Sequence, residues 1–241
     1  MKKPDYVAIA KEYMRGVLDG SVPACSFVKQ AVQRQLNDLR RWGPEGGDYY
    51  FDEKEASRPC WFIENLTHTK GELAGRAIHL EPWQCFLLTT LFGWKAKAGN
   101  RRFRSAYVEV GRGNGKSTLL SGIGLFCLCA DHEPGAEVYS FATTREQAKI
   151  VFGDAQTMAR GNRALQEAYG LEVTAHALYV PATNSTFQAK SAEGSTLDGL
   201  NTHLAIIDEL HAHKKRDVFD VVETSLGKRR NSLMVSITTA G

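Results

Sequence analysis

A glycine-rich segment near the middle of the chain carries the residue types that bind phosphate. It reads Gly111-Arg112-Gly113-Asn114-Gly115-Lys116-Ser117-Thr118. A β-rich run, residues 106–110, precedes it, and the mainly apolar residues 116–131, expected to be helical, follow it. Glycines let backbone N–H groups turn inwards around an anion, and a helix N-terminus adds a positive partial charge. The segment therefore predicts a phosphate-binding loop between a strand and a helix.

The polar side chains of this loop indicate a triphosphate bound with Mg²⁺. Lys116 can reach the β- and γ-phosphates, and the Ser117 hydroxyl can ligate a Mg²⁺ ion that bridges them. Thr118 is included in the nucleotide-binding segment, although packing or capping suits its position better. Val110 stands where the usual pattern G-x-x-x-x-G-K-[ST] has its first glycine, so a chance glycine-rich turn is the alternative interpretation.

Two adjacent carboxylates follow a second apolar run. Residues 204–207 are apolar and are followed by Asp208 and Glu209. A buried strand of a parallel sheet has this pattern, and such sheets bind ligands at the carboxyl ends of their strands. Asp208 is expected to hold Mg²⁺ and Glu209 to polarise the attacking water. Taken alone, the pair is as compatible with an ordinary strand end, and His211 with His213 leaves a weaker zinc interpretation open.

The elements expected around these residues alternate between strand and helix. Strands are expected at 106–110, 137–142, 204–208 and 233–238, and helices at 116–131, 144–160 and 215–226, with a hairpin or two short strands at 178–190. This order predicts an α/β fold with a mostly parallel sheet flanked by helices. Upstream, helices are expected at 4–19, 24–41, 53–66 and from Pro82, and residues 67–77 have the composition of a linker. We therefore place a helical N-terminal region at 1–75 and the core at 76–241.

Composition excludes few classes of partner. Among 241 residues, 30 are Lys or Arg and 27 are Asp or Glu, which gives a net charge of +3. The N-terminus lacks a signal-peptide core and the longest apolar run is too short to span a membrane, so neither secretion nor membrane insertion is expected. All five cysteines are interpreted as reduced thiols of an intracellular protein.

Basic residues cluster at three places in the sequence. They are grouped within 95–104, 214–216 and 228–230. Each cluster is either a solvated surface or a contact with DNA phosphates, and the sequence alone does not separate the two.

The motifs, taken together, resemble the large terminase subunit of tailed phages. The shared segments are the loop 111–117, the strand end 206–211 and the closing Ser236-Ile237-Thr238-Thr239-Ala240-Gly241, with upstream matches at 80–84, 101–104, 141–148 and 197–201. The resemblance implies a P-loop NTPase of the ASCE type that uses ATP and Mg²⁺. It also implies an ATPase motor that translocates double-stranded DNA into a procapsid.

The resemblance assigns further site residues. Arg112 would sense or stabilise the γ-phosphate, with pairing to a surface acid as the alternative. Thr238, Thr239 and Ala240 match the coupling motif of the family. Trp83 and Gln84 match its adenine-side segment, although Trp83 is equally compatible with a core position.

The resemblance also implies partners and leaves rivals. Expected partners are the portal of the procapsid, a small terminase subunit and further copies in a ring, working in the host cytoplasm without a membrane. The lid and the C-terminal nuclease of the family are not expected in this chain. Arg145 is a candidate for a trans-acting arginine. A helicase-like DNA-dependent ATPase, and a nucleotide-binding assembly module without turnover, are the alternatives.

Overall fold

The computed structural model describes residues 4–42, 47–142, 145–191, 199–210 and 217–239. Contacts divide the chain into two compact units, residues 1–64 with 79–103, and residues 65–78 with 104–241. The domain boundary at residue 75 that the sequence indicates stays a prediction. The contacts group residues 79–103 with the N-terminal helices. None of the described helices is long and apolar enough to cross a membrane.

The first unit is built from four helices and a small two-stranded sheet. Its elements are α1 (Tyr6–Asp19), α2 (Ser26–Trp42), β1 (Tyr49–Phe51), α3 (Glu53–Glu64), α4 (Pro82–Gly93) and β2 (Trp94–Ala96). Helix α1 begins at a cap in which the Asp5 carboxylate accepts from the Ala8 N–H, and it ends at Gly20, whose φ is 84°. The three helices expected in the N-terminal region and the helix expected from Pro82 are confirmed. The antiparallel pair β1–β2 was not expected.

The second unit is an α/β sandwich. Its elements are β3 (Ser105–Glu109), α5 (Lys116–Cys129), β4 (Glu137–Ala142), α6 (Arg145–Gly161), α7 (Arg163–Tyr169), β5 (Glu172–Val173), β6 (Leu178–Val180), β7 (Ser185–Ser191), β8 (Thr202–Asp208), α8 (Asp217–Leu226) and β9 (Leu233–Thr238). The strands lie in the order β3-β9-β8-β4-β7-β6-β5. The first five of these are mutually parallel, and β6 and β5 continue the sheet antiparallel. The mostly parallel sheet and the hairpin near 178–190 are confirmed.

Helices cover both faces of this sheet. Helix α5 is buried along almost its whole length and packs on α6 and the central strands. Helix α5 approaches the sheet closely at Gly124, since a Cβ there would lie 2.5 Å from the Phe187 ring. On the opposite face, α8 packs over Ala205 and Ile207 of β8. Because side chains alternate along a strand, the intervening Ile206 and Asp208 lie on the α5 side.

The segment expected to be a linker is an ordered loop of the second unit. Its ends pair in a bridge between Thr67 and Ala77, and a 3-10 turn spans Gly71–Leu73. The loop is attached to α6 because Asp154, which is 5% exposed, accepts from the Thr69 hydroxyl at 3.2 Å and pairs with Lys70 at 2.7 Å. The interpretation of residues 67–77 as a linker is therefore wrong.

All five cysteines are free thiols in the structure. Cys25 is exposed, whereas Cys60, Cys85 and Cys127 are buried. Burial raises the pKa of the Cys129 thiol to about 12.

Candidate active site

The loop after β3 adopts a conformation that glycine permits at two positions. Gly113 and Gly115 have φ values of 80° and 68°, in the left-handed region that disfavours a side chain. Gly115 is also the residue that caps the N-terminus of α5. The Asn114 amide donates to the carbonyl oxygens of Gly111 at 3.1 Å and Arg112 at 3.3 Å, which holds the turn closed. The order strand, glycine loop, helix is confirmed.

Lys116 links this loop to the ends of two other strands. It is the first residue of α5, and its side chain is 11% exposed. Its ammonium group donates to the Val110 carbonyl oxygen at 3.3 Å and to the Thr239 hydroxyl at 2.5 Å. The same nitrogen lies 3.8 Å from Oε1 of Glu209. The phosphate loop and the acid pair are therefore close enough to act on one ligand.

Glu209 is held in an unusual backbone conformation at the end of β8. Its φ is 50°, in a region that costs a non-glycine residue on the order of 1 kcal/mol. Its carboxylate accepts from the Thr239 hydroxyl at 2.8 Å and from the Thr239 N–H at 3.3 Å. Its own N–H donates to Oδ1 of Asp208 at 3.0 Å. These contacts direct the carboxylate towards Lys116.

Asp208 occupies a partly desolvated position beside another acid. Burial, and secondly the charge of Glu209, raise the pKa of Asp208, while Lys116 acts in the opposite direction. A divalent cation would relieve both causes. Together with the hydroxyl of Ser117, which follows Lys116 in α5, Asp208 supplies oxygen ligands of the kind that Mg²⁺ prefers. The residues present therefore fit a magnesium ion.

The strand order brings these groups to one edge of the sheet. Strand β9 lies between β3 and β8, and all three are parallel, so the phosphate loop, Thr239 and the acid pair follow neighbouring carboxyl ends. The Val110 N–H donates to the Thr238 carbonyl oxygen at 3.2 Å, which continues the β3–β9 pairing into the loop. The crevice outside the carboxyl ends is where open α/β sheets bind ligands.

The remaining residues expected at this edge differ in how far the structure describes them. The Arg112 side chain is exposed, and no carboxylate of the described residues lies within 4.0 Å of it, so its alternative interpretation as a surface ion pair finds no described partner. Thr118 is partly buried. Thr238 is 3% exposed at the end of β9. Ala240 lies outside the described residues.

The two expected adenine-side residues belong to the first unit. Gln84 is 7% exposed, and its amide oxygen accepts from the Glu81 N–H at 2.9 Å in a capping box at the start of α4. The sequence signal for this box, an acid three residues before a glutamine, was missed. Trp83 is partly buried. Contact of either residue with adenine stays a prediction.

The basic cluster at 95–104 is largely used inside the fold. Arg102 pairs with Asp38 at 2.9 Å, and its guanidinium also stacks on the Trp94 ring. Lys95 lies 3.5 Å from Glu55, with 13% of its side chain exposed. Arg101 is 2% exposed. Arg102 and Lys95 are paired within the first unit and Arg101 is buried in it, so a DNA contact for these three cations is not supported.

The cluster at 228–230 is likewise structural at two of its three positions. Arg229 pairs with Glu133 at 2.9 Å and donates to the Asn201 carbonyl oxygen at 2.8 Å, with 10% of its side chain exposed. Lys228 donates to a backbone carbonyl at 2.8 Å. Arg104 donates to the Arg229 carbonyl oxygen at 3.1 Å. The third cluster, 214–216, lies outside the described residues.

A second group of metal-binding residue types lies at the opposite end of β8. One ligand atom each from Cys127, Asp131 and His203 falls within 4.8 Å of the others. His203 Nε2 and Asp131 Oδ2 are 2.8 Å apart. Two ligands on one tetrahedral Zn²⁺ are about 3.3 Å apart, given bonds of about 2.0 Å. His203 and Asp131 are therefore joined by a hydrogen bond and do not share a zinc ion. The zinc interpretation of His211 and His213 concerns residues that lie outside the described part of the chain.

Comparison with known proteins identifies the family. The family described as "Terminase large subunit, ATPase domain" matches residues 82–241. The large terminase subunit of Enterobacteria phage HK97 is 32% identical over 182 residues, which cover 74% of this chain and 35% of that protein. The terminase large subunit of Lactococcus phage p2 is 22% identical over 222 residues, covering 89% of this chain and 40% of that protein.

A solved structure agrees with these matches. The crystal structure of the HK97 bacteriophage large terminase has a TM-score of 0.64 and 30% identity, and the match covers 76% of this chain and 37% of that one. This chain thus spans between a third and two fifths of the length of the relatives it matches. The P-loop NTPase fold of the ASCE type expected from the sequence is confirmed, and the chain belongs to the family of terminase large-subunit ATPase domains.

Proposed function

We propose that this chain is the ATPase motor domain of a phage terminase large subunit, which hydrolyses ATP to drive double-stranded DNA into a procapsid. The observation that carries the proposal is the contact of Lys116 and Glu209 with one residue, Thr239. Lys116, a cation that can bind phosphate, and Glu209, a base that can activate water, therefore lie at the same edge of the sheet. The family match, which begins at residue 82, supports the expected ATPase core at 76–241.

The phosphate loop binds the triphosphate. Backbone N–H groups of Gly111, Gly113, Asn114 and Gly115 and the N-terminus of α5 surround the phosphates. Lys116 leaves the Thr239 hydroxyl and pairs with the β- and γ-phosphates. The exposed Arg112 side chain stabilises charge on the transferred phosphoryl group. Thr118, Trp83 and Gln84 complete the expected nucleotide-binding set.

Ser117 and Asp208 are the proposed ligands of the cofactor Mg²⁺. When bound, the ion neutralises charge that develops on the β- and γ-phosphates. A bound cation would also stabilise the ionised form of Asp208, because this carboxylate is partly buried beside Glu209.

Glu209 is the proposed general base. Its carboxylate accepts a proton from the attacking water while two hydrogen bonds from Thr239 hold its orientation. Because the Thr239 hydroxyl contacts both Glu209 and Lys116, it responds to any movement of either side chain. Thr238, Thr239 and Ala240 are accordingly proposed to couple loss of the γ-phosphate to motion of the motor.

The proposed partners follow from the family. They are double-stranded DNA, the portal of the procapsid, a small terminase subunit and further copies of the large subunit in a ring, all in the host cytoplasm. An arginine supplied by a neighbouring copy would add positive charge at the γ-phosphate, and Arg145 is a candidate for it.

Two substitutions test the chemistry. Lys116→Ala is expected to abolish both ATP binding and phosphate release. Glu209→Gln is expected to retain ATP within about threefold and to lower phosphate release by at least about 100-fold, as befits loss of a general base. Binding is measured with a fluorescent ATP analogue, and hydrolysis by phosphate release with DNA and Mg²⁺ present.

Two exposed residues of the same unit serve as matched controls. Lys149→Ala and Glu223→Gln make the same chemical changes outside the site and are expected to leave both readouts unchanged. Hydrolysis in Glu209→Gln at the control rate would refute the assigned base. If the parent protein binds ATP but releases no phosphate, a nucleotide-binding assembly module is favoured. If it separates DNA strands and its activity does not depend on procapsids, a helicase-like ATPase is favoured.

A further inference from the structure

The solvent-facing side of α2 carries positive charge without any negative charge. Four of its exposed residues are basic, namely Lys29, Arg34, Arg40 and Arg41. The one acid in the helix, Asp38, has 13% of its side chain exposed and pairs with Arg102 at 2.9 Å. The whole chain has 30 basic and 27 acidic residues, so an ordinary solvated face would carry both signs.

The charged residues form one continuous stripe. At about 100° per residue, positions 29, 30, 33, 34, 37, 40 and 41 fall within an arc of roughly 140°. Three side-chain amides, Gln30, Gln33 and Asn37, occupy the places between the cations, and the Gln33 amide donates to Asn37 at 3.0 Å. The α2 stripe, as we call these seven residues, is about 18 Å long.

Two of the cations are already ordered by aromatic rings. The Arg34 guanidinium lies 4.8 Å from the centre of the Phe103 ring, and that of Arg41 lies 4.5 Å from the Trp42 ring. A stacked guanidinium loses less conformational entropy when its N–H groups bind an anion. For Arg34, Arg40, Arg41 and Lys29, no carboxylate of the described residues lies within 4.0 Å.

The polyanion that best fits the α2 stripe is the DNA backbone. One strand presents a phosphate about every 3.4 Å along the helix axis, so a stripe of about 18 Å faces roughly five phosphates. Lys, Arg, Gln and Asn side chains are the groups that contact phosphate and sugar oxygens without reading sequence. The basic clusters at 95–104 and 228–230 do not compete for this role, because their cations are mostly engaged inside the fold.

We propose that the α2 stripe is a contact surface for the phosphate backbone of double-stranded DNA. The inference rests on the proposed function, which makes duplex DNA the polyanion that the motor handles. The contact is independent of base sequence and is dominated by counterion release, so it weakens steeply as salt rises.

The test measures binding of a labelled 30-base-pair duplex of arbitrary sequence by fluorescence anisotropy between about 50 and 200 mM NaCl. Lys29→Gln with Arg40→Gln removes two cations that make no stacking contact, so folding is expected to be retained. We expect about tenfold weaker binding at 100 mM salt, and a log–log salt slope smaller in magnitude by about 2, at about 0.9 per lost phosphate contact. Adding Arg34→Gln and Arg41→Gln should lower the magnitude of the slope by about 3 to 4 in total.

The matched control removes two exposed cations from α6. Lys149→Gln with Arg160→Gln changes net charge by the same amount and is expected to alter the slope by less than about 0.5. An equal loss in the α2 and α6 variants would show a net-charge effect and overturn the proposal, as would an unchanged slope in the α2 variants. Unfolding midpoints of all variants confirm that each is folded.

ATP hydrolysis without DNA, measured on the same samples, separates this inference from the proposed function. Hydrolysis with no duplex binding by the parent protein overturns the α2 contact and leaves the ATPase intact. Duplex binding through α2 without hydrolysis supports the contact and contradicts the motor.

Discussion

The Thr239 hydroxyl donates to the Glu209 carboxylate at 2.8 Å while it accepts from Lys116 at 2.5 Å. One small side chain therefore contacts both the residue proposed to bind phosphate and the residue proposed to activate water. Removing its hydroxyl separates two effects, the competition for Lys116 and the orientation of Glu209.

Thr239→Val is expected to lower kcat for ATP by at least about tenfold, because Glu209 loses the hydrogen bond that orients its carboxylate. Affinity for ATP should stay the same or tighten by up to about threefold, since Lys116 no longer has to leave a hydroxyl. Steady-state hydrolysis and equilibrium binding of a fluorescent ATP analogue measure the two effects separately. Thr239→Ser, which keeps the hydroxyl, is expected to restore kcat, and a serine variant as slow as the valine variant would contradict this account.

Asp208→Asn should stabilise the protein in the absence of Mg²⁺ while abolishing Mg²⁺-dependent hydrolysis. The carboxylate is partly buried beside Glu209, so replacing it by a neutral amide removes desolvation and repulsion. We expect a gain of roughly 1 kcal/mol, or about 2–4 °C in the unfolding midpoint measured in EDTA. Destabilisation of the variant in EDTA would show that Asp208 serves the fold.

The stability difference between Asp208→Asn and the parent protein should depend on pH. Because the pKa of Asp208 is raised in the folded state, the native protein binds more protons than the unfolded chain between the two pKa values. Stability from this group is therefore present at low pH and lost as pH rises through that window. The gain from the substitution should grow from about pH 4 upwards and then level off, as followed by thermal unfolding in EDTA. A gain that is constant with pH would argue against a raised pKa.

Arg229→Ala is expected to destabilise the protein by about 3 kcal/mol or more. The substitution leaves Glu133 and backbone carbonyl oxygens without their donor in a poorly hydrated place. Urea unfolding measures the loss, and the neighbouring exposed Arg230→Ala provides the control with an expected change below about 0.5 kcal/mol. If Arg229→Ala leaves stability unchanged but weakens DNA binding, the cluster at 228–230 contacts DNA and the structural role of Arg229 is contradicted.

Much of the fold is readable from the sequence because its main elements are long and strongly patterned. Strands β4 and β9 have the expected bounds, and α5 begins at Lys116 as expected. Strands β1, β2 and β5 have three residues or fewer, and such short runs carry no usable period. The loop 67–77 was misinterpreted since its polar composition hides the contacts of Asp154, a residue far away in the sequence.

The candidate site was readable at the level of motifs and not at the level of contacts. The glycine loop and the acid pair each have a local signature, so their edge of the sheet followed from strand order. The triple contact among Lys116, Thr239 and Glu209 joins three separate segments, and no local pattern indicates it. The sequence did not indicate that the basic clusters are used inside the fold, because the acids that pair with Arg102 and Arg229 lie far away in the sequence.

Strand β9 sits between β3 and β8, paired residue by residue with both. Along a strand, adding or removing one residue turns every later side chain to the other face. A single insertion within Leu233–Thr238 would rotate Thr239 away from Glu209 and Lys116, although composition and hydrophobicity would barely change. Among functional relatives of this chain, we therefore expect insertions and deletions to occur in loops such as 67–77. Strand β9 is expected to tolerate substitutions better than insertions or deletions.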